Sequence, residues 1–167
     1  IPDMHYSIPS SVSVADSNGD GIDDRVYVGD TGGQVWRIDL GSDIQQSGGL
    51  LSTALCLAPC TKTVIGKLAS IADGSDSSKE RRFFEAPSVV QVRDELYAAT
   101  GESDYDYVMI GSGYTAHPLN TTVKDRFYAF RDRYIGGLLD ADNDHRSELA
   151  DGYADGSGGA IDNSNLF

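Results

Sequence analysis

Several things are scarce in this chain, and each scarcity excludes a class of function. Nowhere does it approach the roughly 18 consecutive apolar residues of a membrane-spanning helix, and no signal peptide stands at its start. Basic residues are few: 13 Lys and Arg face 26 Asp and Glu, so the 167 residues carry a net charge of −13. That balance disfavours nucleic acid, whose phosphates need a basic surface, and suits divalent cations and a secreted life. Histidine is limited to His5, His117 and His145, which are scattered and show neither metal nor triad spacing. No serine lies in a Gly-x-Ser-x-Gly elbow, and no catalytic residue is expected. A Met start is also missing. The opening at Ile1-Pro2 and the close at Asn165-Leu-Phe167 read as the ends of a segment from a longer protein.

Only two cysteines are present, Cys56 and Cys60, in Cys-Leu-Ala-Pro-Cys. Structural zinc needs about four protein ligands, and no second cysteine pair exists to supply them. Three residues between the thiols is one more than the common redox spacing. A small disulfide pinning an exposed loop is the expected state, which implies an oxidising compartment.

Glycine and short β-rich runs are what the chain has in quantity. Nineteen glycines and frequent turn signals predict an all-β protein. Strands are expected over 11–15, 25–29, 34–40, 88–93, 96–100, 107–112 and 126–131, with 63–71 as a further outer strand. Asp30-Thr-Gly-Gly33 reads as a tight hairpin turn, and 75–82 as a polar connector with a short helical turn. In 34–40, Val35, Arg37 and Asp39 share one face while Trp36, Ile38 and Leu40 share the other. The second face is more apolar and is expected to be the buried one. Trp36 is expected in the core rather than on a ligand platform.

Asp16-Ser-Asn-Gly-Asp-Gly-Ile-Asp-Asp24 carries the strongest chemical signal. Asp16, Asn18 and Asp20 place oxygens at alternating positions, Gly21 allows the sharp turn, Ile22 offers a backbone carbonyl and Asp24 closes the run. Ca2+ takes six to eight oxygens, and ligands at positions 1, 3, 5, 7 and 9 supply them. Position 12, a Glu in helix-flanked calcium loops, is Tyr27 here, and a β-rich run follows. The expectation is a nine-residue calcium loop opening onto a strand. An Asx-rich turn that binds nothing is the plain alternative. Against it, like charges 4 Å apart cost about 1 kcal/mol per pair even in bulk water.

Asp140, Asp142, Asp144 and Glu148 repeat the ligand spacing, but His145 stands where the turn glycine belongs. A second calcium loop and a solvated acidic loop both fit. Asn120-Thr-Thr122 matches a glycosylation acceptor and is read as a loop. Tyr105, Tyr107 and Tyr114 beside Asp104 and Asp106 suggest either a sugar- or protein-binding rim or ordinary strand residues.

Two units share a plan: an opening strand, a middle strand ending in Gly, and a closing strand with an aromatic and an Arg-x-Asp or Arg-Asp ending. The closing strands are Gln34-Val-Trp-Arg-Ile-Asp39 and Asp125-Arg-Phe-Tyr-Ala-Phe-Arg-Asp132. Such repeats are blade-like, so the expected fold is a partial β-propeller of about two blades. It occupies 1–133, with an acidic, Gly-rich, irregular tail over 134–167. Two blades cannot close a ring, so edges and apolar faces should be left for neighbours.

The ordered set of Ser7-Ile-Pro-Ser-Ser-Val12, the 16–24 loop, Arg25-Val-Tyr-Val-Gly-Asp-Thr-Gly-Gly-Gln-Val-Trp-Arg-Ile-Asp39, Phe84-Glu-Ala-Pro-Ser-Val-Val90, Tyr107-Val-Met-Ile-Gly-Ser-Gly113 and the 125–132 strand resembles the PilY-type proteins. These are type IV pilus biogenesis factors and tip-associated adhesins of Gram-negative bacteria. The resemblance covers about residues 1–133. It implies a C-terminal β-propeller whose calcium occupancy tunes pilus extension against retraction, with twitching motility and surface attachment as the processes served. It further implies a non-enzymatic protein at the periplasm, outer membrane or pilus tip, with minor pilins and host or abiotic surfaces as partners. The family's calcium ligands match Asp16, Asn18, Asp20, the Ile22 carbonyl and Asp24. The Cys56–Cys60 insert and the acidic tail depart from the pattern.

The run from Gly29 to Asp39 also resembles the tryptophan-bearing repeat of quinoprotein dehydrogenases. Those enzymes hold calcium and quinone at the ring centre on ligands from separate blades, whereas the ligands here are contiguous. Adjacent cysteines, common in that family's site, are absent, since Cys56 and Cys60 are four positions apart.

Overall fold

The computed structural model describes residues 4–17, 19–40, 63–72, 76–93, 104–132 and 161–162. Strands β1 (Ser13–Ala15), β2 (Arg25–Gly29), β3 (Gln34–Asp39) and β4 (Val64–Ser70) form one antiparallel sheet in chain order. Strands β5 (Ser88–Arg93), β6 (Asp104–Gly111) and β7 (Phe127–Asp132) form a second. A 3-10 turn at Ser77–Lys79 lies in the connector between them, and there is no α-helix among the described residues. The chain is all-β, as its glycine content and short β-rich runs predict.

The expected strands 25–29 and 88–93 are found at those bounds, and the others are displaced by one to three residues at an end. The strand expected at 96–100, both cysteines, Asn18 and the 140–148 loop lie outside the described residues. Of the expected irregular tail, Ile161 is buried and bridges Ala69 in parallel, extending the outer edge of the first sheet.

The β2–β3 turn forms because Asp30 organises it. One carboxylate oxygen accepts the backbone N–H of Gly32 and Gln34, and the other accepts Trp36 Nε1–H at 2.9 Å. Trp36 is buried, as expected, with Lys67 Nζ 5.2 Å from its ring centroid.

The two sheets meet through an apolar cluster that includes Tyr27, Val35, Leu68, Phe83, Val108, Ile110, Tyr128 and Phe130. Gly29 packs closely against the second sheet and the connector. A Cβ there would lie 2.7 Å from both Ile110 Cδ1 and Phe83 Cβ.

The face expected to be buried on β3 is corrected by this packing. Val35, Arg37 and Asp39 are all buried, while on the face expected to be buried Trp36 is buried, Ile38 is half-buried and Leu40 is 43% exposed. Apolarity misleads here because the second sheet brings carboxylates to meet the polar face. Arg37 donates to Asp39 at 2.7 and 2.9 Å and to Asp132 at 3.0 Å. Arg25 donates to Asp39 at 3.2 Å and to Asp106 at 2.7 Å. The Tyr27 hydroxyl lies 2.8 Å from Asp106 and 2.7 Å from Asp132. All six residues are buried, so these are short, charge-assisted contacts shielded from salt.

The electrostatics follow from that geometry. Burial opposes the charged form of Arg37, but the carboxylates of Asp39 and Asp132 outweigh it and its pKa is raised well above the ordinary value. Burial also raises the Tyr27 pKa well above the 10.0 of a free phenol, and the nearby Asp132 carboxylate adds to the shift.

The native protein therefore keeps a phenolic proton that the unfolded chain releases in alkali. That contribution to stability is complete below pH about 10 and is lost as pH rises through the higher folded-state pKa. Urea midpoints measured from pH 9 upwards are expected to fall less steeply for Tyr27→Phe than for the wild type; equal slopes would contradict this assignment. Gly29→Ala is expected to destabilise the protein by about 1–3 kcal/mol through overpacking at Phe83 and Ile110, read from the same urea unfolding.

Candidate functional site

The expected calcium loop joins β1 to β2, and its local fold is set by its own carboxylates. Asp16 sits one residue past β1 and turns back onto the loop backbone. Its Oδ1 accepts the N–H of Gly19 at 2.7 Å and of Asp20 at 3.3 Å, and its Oδ2 accepts the N–H of Gly21 at 2.7 Å. Gly19 and Gly21 make this possible by adopting φ of +80° and +89°, where a side chain would be strained. Asp20 in turn accepts the Ile22 N–H at 2.8 Å.

Asp24 closes the loop from the other end. Its two carboxylate oxygens take the backbone N–H and the hydroxyl of Ser17, at 2.9 and 2.8 Å. Its own N–H donates to the Ala15 carbonyl, and its carbonyl accepts from Leu40 N–H. Asp24 is 4% exposed, whereas Ile22 is 57% exposed and Asp20 is on the surface. The loop is thus anchored at Asp16 and Asp24 and open at its tip.

The second sheet reaches this loop. Gln91 Nε2 on β5 donates to the Asp16 carbonyl at 2.8 Å, and the Ser13 hydroxyl contacts the Pro87 carbonyl. Directly beyond Asp24, Arg25 enters the buried ionic network. One continuous stretch therefore runs from the loop tip to the contact between the sheets.

Of the expected ligands, Asp16, Asp20, Ile22 and Asp24 are placed within this one loop, and Asn18 lies outside the described residues. Asp16, Asp20 and Asp24 each accept backbone N–H groups in the arrangement seen. Among the described residues, no three of His, Cys, Asp and Glu are gathered as a metal-binding group. The loop's remaining oxygen donors, an amide and a backbone carbonyl, are of other types.

The tyrosine rim divides. Tyr105 and Tyr107 lie edge-to-face on the outer face of the second sheet, with Arg131 over Tyr105. Asp106 points the other way, into the core. Tyr114 belongs to a separate cluster in the β6–β7 connection. Sequence reading missed the role of Arg25, Arg37, Asp39, Asp106 and Asp132. Its one available signal was the recurrence of an Asp at the end of each closing strand, which was legible as a repeat and not as an ion-pair pattern.

No protein-family model matches this chain, and no curated protein matches it. Among solved structures, it is similar to the C-terminal domain of PilY1 from Pseudomonas aeruginosa, with 19% sequence identity and a TM-score of 0.46. The alignment covers 91% of this chain and 28% of that one, so the chain spans little more than a quarter of the solved domain.

The two ends of the loop differ in what they support. Asp24→Ala removes both partners of Ser17 at a nearly buried position and is expected to cost about 1–3 kcal/mol. Asp20→Ala, at the exposed tip, should cost less than about 1 kcal/mol. Urea unfolding of the two variants in chelator-treated buffer reads this difference directly.

Proposed function

We propose that the chain is a non-enzymatic, calcium-binding segment of a β-propeller in a type IV pilus assembly and adhesion protein. The observation that carries this reading is the 16–24 loop: contiguous oxygen donors at alternating positions, anchored at both ends and open at the tip between two paired strands. The ordered motif set that resembles the PilY-type proteins supports the pilus context. The two sheets, four- and three-stranded and packed face to face, suit adjacent blades of a larger propeller.

In this reading, Asp16, Asn18, Asp20 and Asp24 provide side-chain oxygens and Ile22 its carbonyl. Calcium exchanges the N–H contacts of Asp16 and Asp20 for metal contacts and relieves repulsion between the carboxylates. Binding free energy obtained only in the ordered loop shifts the population toward that state. The β1–β2 hairpin and the Gln91 contact then carry loop order to the second sheet. Minor pilins at a pilus tip, in the periplasm or at the cell surface, would sense that order. Extension and retraction, twitching motility and attachment to host or abiotic surfaces would be set through it.

Calorimetric titration of the chelator-stripped chain with Ca2+, and separately with Mg2+, tests the reading. A calcium site with poor competition by Mg2+ is expected, and Asp20→Ala should abolish it while leaving the β content intact. Absence of calcium binding by the folded wild-type chain, or wild-type affinity in Asp20→Ala, would overturn the assignment to this loop.

A further inference from the structure

Gln91 reaches the 16–24 loop from the second sheet, and strand register sets its placement. On β5 it stands opposite Asp106 of β6, which in turn stands opposite Asp132 of β7. Directly opposed residues of antiparallel strands point to the same face, so the three form one row facing the first sheet. Each member of the row grips that sheet. Gln91 Nε2 donates to the Asp16 carbonyl at 2.8 Å, Asp106 accepts from Arg25 at 2.7 Å, and Asp132 accepts from Arg37 at 3.0 Å. Asp16 opens the loop and Arg25 is the first residue beyond it, so neighbouring members of one row hold both of its ends.

The grip on Asp16 reaches the closing residue of the loop through a single peptide unit. The carbonyl of Asp16 and the N–H of Ser17 belong to the same planar group. Gln91 holds that carbonyl, while Asp24 accepts that N–H at 2.9 Å on one oxygen and the Ser17 hydroxyl at 2.8 Å on the other. Rotating the peptide plane breaks the Gln91 contact and the Asp24 contact together. The first and last side-chain donors of the loop are thus oriented against a residue 75 positions after Asp16.

We infer that Gln91 is a positioning residue of the proposed calcium site, so that the loop's affinity for the ion depends on the docking of the second sheet. The inference rests on the calcium reading of the loop, whose donors are all oxygen and suit a hard cation. A backbone carbonyl only accepts, which assigns the NH2 side of the Gln91 amide to Asp16. Gln91 therefore presents N–H and not oxygen to the loop, and it acts by fixing the Asp16–Ser17 peptide rather than as a ligand. The coupling is reciprocal: an ion bound more tightly when the sheets are docked must in turn favour docking.

The test compares the full wild-type chain with Gln91→Met, which keeps the length of the side chain and loses its N–H. In calorimetric titration with Ca2+, the variant is expected to bind about two- to tenfold more weakly, the worth of one neutral hydrogen bond. Gln91 is exposed, so the urea midpoint should stay nearly unchanged. Hydrogen exchange in chelator-treated buffer supplies a readout that needs no ion. The amides of Gly19 and Gly21, which donate to Asp16, should exchange faster in Gln91→Met. Gln91→Lys, which retains an N–H donor of similar reach, should restore their protection. In the wild type, the side-chain amide signals of Gln91 should shift in NMR spectra when calcium is added. Calcium binding that Gln91→Met leaves unchanged overturns this inference and leaves the calcium reading standing, whereas absence of binding by the folded wild type overturns both. The inference also fails if exchange at Gly19 and Gly21 is unaltered in Gln91→Met, if Gln91→Lys does not recover it, or if the Gln91 signals ignore calcium.

Discussion

The contact between the two sheets depends on a buried ionic cluster: Arg25, Tyr27, Arg37 and Asp39 from one sheet, Asp106 and Asp132 from the other. Hydrophobic attraction has no direction of its own; the ion pairs add a directional constraint to the fit of the packed side chains. Breaking one by removing a partner leaves a buried charge uncompensated, which costs about 3–5 kcal/mol. The close approach at Gly29 and the aromatic stack of Tyr128 on Phe130 lie in the same interface.

The same cluster ties the candidate calcium loop to the rest of the molecule. Asp24 ends the loop and Arg25 begins the network, with no intervening residue to absorb a change in conformation. Gln91 meets the start of the loop from the second sheet. A loop between two strands of one hairpin would ordinarily report only to that hairpin. Here both of its ends touch elements that fix the position of the second sheet, which is the physical basis for proposing that loop order is felt at a distance.

What could be read from the sequence, and what could not, separates along physical lines. Local chemistry was legible: Asp30-Thr-Gly-Gly33 marked the hairpin, and the β-rich runs 25–29 and 88–93 marked those two strands at their observed bounds. The loop of Asp16, Asp20, Ile22 and Asp24 was legible as one contiguous unit, since its geometry depends on residues close in the chain. The buried face of β3 was not. Arg37 and Asp39 read as solvent-facing by composition, and only the carboxylates of Asp106 and Asp132, more than 60 residues later in the chain, make their burial favourable.

The central claim is that the cross-sheet ion pairs, and not apolar area alone, set how the sheets dock. A double-mutant cycle on Arg37→Met and Asp132→Leu, measured by urea unfolding, tests it most directly. Each single variant should lose about 3–5 kcal/mol, and the double variant should recover much of the loss, with a coupling energy of about 2 kcal/mol or more. Additive losses, with coupling below about 0.5 kcal/mol, would show that the two residues do not act on one another and would contradict the account.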